Sequence, residues 1–193
     1  MNHHPTLPIT ATGVERHDGV RILIAGLGNI FQGDDGFGSE VIRALEGIEF
    51  PNEVTVRDFG TRSYDLAYAL ADDYDLKILV DAVPQKSPPG TVYLIEPDLN
   101  RLNELVSGEI EPHSMDPTSL LQMARSIGDL QGRYYIVGCE PAILEDDNAE
   151  AGLSEPVRSA IPEAVKIILF LVADALSEPE MPVEMTFELH EGE

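Results

Sequence analysis

The sequence predicts an α/β fold: a three-layer sandwich with a mostly parallel, five-stranded twisted sheet, one antiparallel edge strand, and helices on both faces. Three observations predict it. Short apolar runs alternate with longer segments whose apolar residues recur at spacings of three and four. One link between successive strands is too short to contain a crossover helix. The chain has 193 residues, 43% of them apolar, which suits one sizeable core better than two.

RILIAG (Arg21 to Gly26) reads as a buried strand. Phe37, Val41, Ile42 and Leu45 then mark an amphipathic helix ending near Gly47. EVTVRDF (Glu53 to Phe59) alternates as a strand does, and Tyr64 to Leu70 forms a shorter helix. KILVDAV (Lys77 to Val83) is a nearly continuous apolar run that fits a central strand, broken by PQKSPPG. TVYLIEP (Thr91 to Pro97) follows too closely for a helix to intervene, so it is expected to pair antiparallel with the third strand and to leave one strand at an edge. Asp116 and Pro117 suit the N-cap and first position of the next helix, with Leu120, Leu121, Ala124 and Ile127 on its buried face. RYYIVGC (Arg133 to Cys139) is the fifth strand. The last helix runs from Ser154 or Ser159 to Leu176, with Val165, Ile168, Leu169, Val172 and Leu176 as its stripe; Pro162 leaves both starts open. The expected organisation is a flexible leader (1–19), a single α/β domain (20–176) and an acidic tail (177–193).

Charge and cysteine content exclude several functions. Acidic residues number 35 against 12 basic ones, a formal charge of −23, which opposes nucleic acid or an anionic membrane as partner. Cys139 is the single cysteine, so an internal disulfide and a cysteine-rich zinc site are both excluded. The N-terminus lacks the features of a secretory signal, and no run approaches the roughly 18 apolar residues of a membrane span; a cytoplasmic protein is expected. His3 and His4 lie in a Thr- and Pro-containing leader and read as disordered rather than metal-binding.

The loop GLGNIFQGDDGFG, Gly26 to Gly38, poses the central question. A phosphate-binding P-loop needs a lysine where this chain has Asp34, and a dinucleotide fingerprint needs a third glycine where it has Phe31. The loop therefore reads as a carboxylate mount. In a parallel sheet the loops leaving the carboxyl ends of the strands share one rim, which gathers Asp34 and Asp35, Asp58 with Gly60 and Thr61, Asp81, and Cys139 with Glu140. The return from strand four puts His113 near them. Two carboxylates and an imidazole from separate loops can bind nickel, zinc, iron or manganese with open positions for substrate or water. Asp35 or Asp34 could instead cap the following helix. Asp81, at the end of a buried strand, is costly there unless paired or coordinated. A metal-free alternative has Asp35 and Asp81 share a proton as an aspartic-type dyad. A serine or cysteine nucleophile is poorly supported: no GxSxG motif is present and Cys139 has no evident histidine partner.

Taken together, ILIAGLGNIFQGDDGFG, DFGTRSYDL, ILVDAV, PGTVYLIEP, Pro112-His113, and IVGCEP leading into GLSEPV resemble the nickel-dependent hydrogenase maturation endopeptidases. The resemblance runs from about Arg21 to Leu176. It implies a twisted sheet between helices and a nickel site made by Asp35, Asp81 and His113, with Asp35 and Asp81 also catalytic. It implies that the nickel is supplied by the substrate, the large-subunit precursor of a nickel-iron hydrogenase, from which a C-terminal extension is removed so that the large subunit can close over its active site. Gly26, Gly28, Asn29, Asp34 and Gly36 are expected to shape the loop, Asn29 through an Asx-type hydrogen bond, with the glycines letting backbone approach a bulky partner. Whether metal or a carboxylate activates the water stays open. So do two alternatives: a metal-independent aspartic-type hydrolase of related fold, and a non-catalytic nickel-recognition chaperone. The chain departs from the family in its leader and acidic tail, and in carrying Asp35 where some members have the longer glutamate. The acidic stretch from Glu145 to Glu150 could meet a basic part of the precursor.

Overall fold

A computed structural model describes residues 19–100, 102, 117–142 and 152–177. Asp116, His113, the Glu145 to Glu150 stretch, and most of the leader and of the acidic tail lie outside the described residues. The elements follow the order β1 (Ile22–Leu27), α1 (Phe37–Leu45), β2 (Val54–Gly60), α2 (Ser63–Ala71), β3 (Leu76–Ala82), β4 (Val92–Ile95), α3 (Pro117–Ile127), β5 (Arg133–Cys139) and α4 (Glu155–Leu176). A 3₁₀ turn, Gly33–Gly36, leads into α1.

The sheet has the strand order β2-β1-β3-β5-β4. Four strands are parallel, and β4 is an antiparallel edge. The central placement of β3 explains its apolar run, because it is buried at every position. One expectation is corrected: β4 runs opposite to β3 but does not pair with it. β5 inserts between them, paired in parallel to β3 and antiparallel to β4. A link of about nine residues is long enough to step over one neighbouring strand, so its length fixes the direction of β4 but not its partner.

Period-two alternation divides the sheet between two cores. Ile22, Ile24, Ile78, Val80 and Val137 face α1 and α4. Leu23, Ala25, Leu27, Leu79 and Ile136 face α2 and α3. The four residues expected to form the apolar stripe of α1 are all buried. In α3, Leu120, Leu121 and Ala124 are buried while Ile127 is partly exposed at the helix end.

The buried face of α4 is turned from the expected stripe. Ala160, Ala164, Ile168, Leu171, Val172 and Ala175 are buried, whereas Val165, Leu169 and Leu176 are only half-buried. Small alanines form much of the contact face and carry little weight in a search for large apolar residues. The helix starts at Glu155, and Pro162 sits inside it on an exposed position.

The third strand begins at Leu76 rather than Lys77, which makes Lys77 its second residue, fully buried. Its Nζ donates to the carbonyls of Tyr74 at 2.7 Å and Gln131 at 2.8 Å, and it lies 4.8 Å from the centre of the Tyr134 ring. No described helix is long and apolar enough to cross a membrane.

Candidate active site

The carboxyl ends of β1, β2, β3 and β5 share one edge, and the polar residues there have different tasks. Asp34 and Asp35 differ most. Asp34 is fully buried. Its Oδ1 accepts from the Ser154 N–H at 2.7 Å, and its Oδ2 accepts from the Ala142 N–H at 2.8 Å and the Ser154 hydroxyl at 2.9 Å. This carboxylate fastens the segment after β5 and the start of α4 to the loop after β1. Ser154 stands at the N-cap of α4, but its hydroxyl serves Asp34 rather than the helix.

Asp35 is half-buried, and its Oδ2 accepts from the Asn29 N–H at 2.6 Å. The loop is closed by three more bonds. The Phe31 N–H donates to Asn29 Oδ1 at 3.0 Å, an Asx turn. The Gln32 N–H donates to the Asn29 carbonyl at 2.9 Å, and the Asp35 N–H to the Gln32 carbonyl at 3.2 Å. The N-cap position of α1 falls to neither aspartate. Gly36 occupies its N-cap with no side-chain cap bond.

Glycine is required here by the chain's own proximity. Gly28 has φ 110°, and a β-carbon on it would run into the Asp35 carbonyl oxygen. At Gly26 a β-carbon would meet Ile42 and the Gly38 carbonyl, and at Gly36 it would press on the Cα of Ile30. These glycines have a cause within the chain itself: loop, strand and helix backbones pack against each other.

Asp81 is 5% exposed at the end of β3, and its Oδ1 accepts from the Ala82 N–H at 2.8 Å. A β-carbon at Gly38 would strike the carbonyl oxygens of Leu27 and Val80. The first turn of α1 therefore rests on the ends of both β1 and β3, which brings the Gly33–Gly36 turn and Asp81 to one corner. Among the described residues no group of three or more His, Cys, Asp or Glu side chains is arranged to hold a metal. His113, the expected third ligand, is not among them.

At the end of β2, Asp58 Oδ1 accepts from the Ser39 hydroxyl and the Gly60 N–H, each at 2.9 Å. It ties α1 to the rim. Cys139 is buried, and desolvation, reinforced by the charges of Asp34 and Glu140, pushes its thiol up to about 12. A thiol held protonated in this way is a poor nucleophile.

Glu140 lies on the rim, as its position after β5 implies, and its task comes from the fold. It is 5% exposed. Its Oε2 accepts from the Tyr93 hydroxyl at 2.6 Å and the Gln85 N–H at 2.7 Å, and its Oε1 from the Lys86 N–H at 3.1 Å. The Tyr93 bond, with the backbone donors, holds its carboxyl below the usual range despite desolvation. Desolvation and the bond to Glu140 raise the Tyr93 phenol. The signal that could have found Glu140 is the one that found Asp81: a carboxylate directly after a buried apolar run.

Known proteins resemble this arrangement across most of the chain. Residues 39–170 match the hydrogenase maturation protease family. The chain is 34% identical over 155 residues to a protein of Methanothermobacter thermautotrophicus named coenzyme F420 hydrogenase subunit delta, covering 77% of this chain and 92% of that one. Among solved structures, the hydrogenase maturating endopeptidase HybD of Escherichia coli superposes with a TM-score of 0.66 at 29% identity, over 80% of this chain and 93% of the other. A hydrogenase 2 maturation peptidase of a Thaumarchaeota archaeon gives 0.61 at 35% identity, over 79% and 98%. The chain belongs to the hydrogenase maturation protease family and is an endopeptidase.

Proposed function

We propose that the protein removes a C-terminal extension from the large-subunit precursor of a nickel-iron hydrogenase in the cytoplasm, after nickel has been inserted into that precursor. Asp35, Asp81 and His113 meet the substrate's nickel. The observation that carries this reading is the corner shared by Asp35 and Asp81, where each carboxylate is aimed by a main-chain N–H, from Asn29 and from Ala82 respectively. Two carboxylates and one neutral imidazole form an open donor set, suited to sharing a metal that the substrate already holds. A fuller shell would be needed for a permanent metal.

Docking on the nickel brings the scissile peptide to the two carboxylates. Water attacks its carbonyl carbon, a carboxylate takes the proton, and the proton passes to the departing amine as the C–N bond breaks. Metal-assisted deprotonation of the same water leads to the same products.

The test uses nickel-loaded and nickel-free precursor, with precursor mass as the readout. Loss of a C-terminal peptide only from the loaded form is expected. Cleavage of the nickel-free form at acid pH would replace this reading with the aspartic-type dyad, and binding without cleavage would replace it with a recognition chaperone. His113→Ala is expected to weaken both binding of the loaded precursor and turnover; unchanged affinity would remove His113 from the ligand set.

A further inference from the structure

The β3–β4 connection crosses over the carboxyl end of β5 and is pinned at both ends. The Val83 N–H donates to the Cys139 carbonyl at 2.9 Å, the Gly90 N–H to the Glu140 carbonyl at 2.8 Å, and the Glu140 N–H to the Thr91 carbonyl at 2.8 Å. Between the pins, the Glu140 carboxylate grips the N–H groups of Gln85 and Lys86. Lys86 has φ 65°. Every other described residue with positive φ is a glycine, because a side chain disfavours the left-handed conformation. Glycine would relieve this backbone, yet the position carries a lysine.

That lysine has no evident structural use. It is exposed and makes no ion pair among the described residues. It is also the sole cation between positions 78 and 100 of a chain with net charge −23. The loop that holds it begins two residues after Asp81. A residue in this strained conformation, its backbone held by a buried carboxylate on the connection that leaves the Asp81 strand, points to function.

We propose that Lys86 is a specificity-determining contact whose ammonium takes a carboxylate of the precursor's C-terminal segment, and that Glu140 is the positioning residue that holds it in place. This rests on the endopeptidase reading given above. An anionic peptide group is repelled by most of this acidic surface, so one cation on the connection that leaves the Asp81 strand, its backbone held by Glu140, sets the register in which the peptide settles. Because the backbone is already held, less ordering is needed on binding.

The experiment measures kcat and KM for nickel-loaded precursor at low and high salt, together with equilibrium binding in an Asp81→Asn background that separates affinity from cleavage. Lys86→Gly is expected to raise KM, and to weaken binding, by about tenfold. It should leave kcat within about twofold, flatten the salt dependence and leave Tm no lower. Lys86→Arg should restore KM. Glu140→Gln should raise KM alone but add nothing on top of Lys86→Gly, a non-additivity that a purely structural role does not produce. Wild-type KM, affinity and salt dependence in Lys86→Gly would overturn the proposal while leaving the endopeptidase reading standing. Failure of the wild-type protein to bind or cleave the precursor would overturn both.

Discussion

The two edges of the sheet both bury charge, yet they do so for different ends. At the amino edge Lys77 is held by carbonyls of the turns that precede β3 and β5. The links there are tight: the Asp75 N–H donates to the Arg21 carbonyl and the Arg133 N–H to the Asp75 carbonyl, each at 2.8 Å. At the carboxyl edge Asp34, Asp81 and Glu140 are all buried, while Asp35 stays half-buried on a loop that its own side chain helps to close. Asp34 and Glu140 act as Lys77 does, fastening one loop to another. Burial of a charge therefore does not identify a reacting group. What sets Asp35 and Asp81, the proposed reacting pair, apart is a shared corner reached from two strands.

The largest effect expected from this contrast is on rate. Asp81→Asn keeps size and an acceptor for the Ala82 N–H but removes the charge, so processing should fall by at least about 100-fold with little change in Tm. Asp35→Asn should behave alike. Precursor cleavage followed beside thermal melts checks both, and a wild-type rate in either variant would take that residue out of the reacting pair. Asp34→Ala should show the reverse emphasis. Three donors, from Ala142 and twice from Ser154, lose this acceptor, at a cost of about 3 kcal/mol. For a domain of this size that corresponds to a fall in Tm of roughly 6–12 °C. Adjacent aspartates would then separate into one governing rate and one governing stability.

Glu140 gives a smaller effect, read against pH. Its folded-state carboxyl is held below the ordinary range, chiefly by the Tyr93 hydroxyl. Its contribution is therefore fully present above the unfolded-state value, about 4.3, and is lost as pH falls through the lower folded value. Urea midpoints of wild type and Glu140→Gln should converge as pH drops from 5 to 3; a constant gap would mean that the carboxylate does not fasten the 85–86 backbone.

Much of this was legible because periodicity and chain direction carry it. The buried faces of α1 and β3, the antiparallel edge and the shared rim all follow from apolar spacing and link length. The partner of β4 was not legible, since a loop of that length can pass over a strand, and neither was the rotation of α4, whose contact face is rich in alanine. The task of Asp34 was hidden for another reason. Its partners Ala142 and Ser154 lie more than a hundred residues away, and local spacing suggests only a helix cap. The same holds for Glu140, whose donors come from the β3–β4 connection and from β4.

Lys77 supplies the smallest effect and the sharpest control. Its burial lowers the ammonium to about 8 from an ordinary 10.5, against the opposing pull of Asp73, Asp75 and Asp72. Between those values the unfolded chain holds more protons than the folded one, so this group's contribution to stability rises with pH across that window. Lys77→Met removes the titration and keeps an unbranched apolar side chain against Tyr134. Wild type should gain on the variant in urea midpoint from pH 8 to pH 10.5. Comparing the two proteins at each pH cancels the opposite trend expected from Cys139, whose raised thiol makes stability fall above pH 9 in both. Processing of the precursor at neutral pH should be unaltered in the folded variant, because the amino edge lies at the far ends of β1, whose following loop carries Asp35, and of β3, which carries Asp81. A loss of turnover without loss of folded protein would break the division between the edges: the charge buried at one end of β3 would then be tuning the carboxylate at the other.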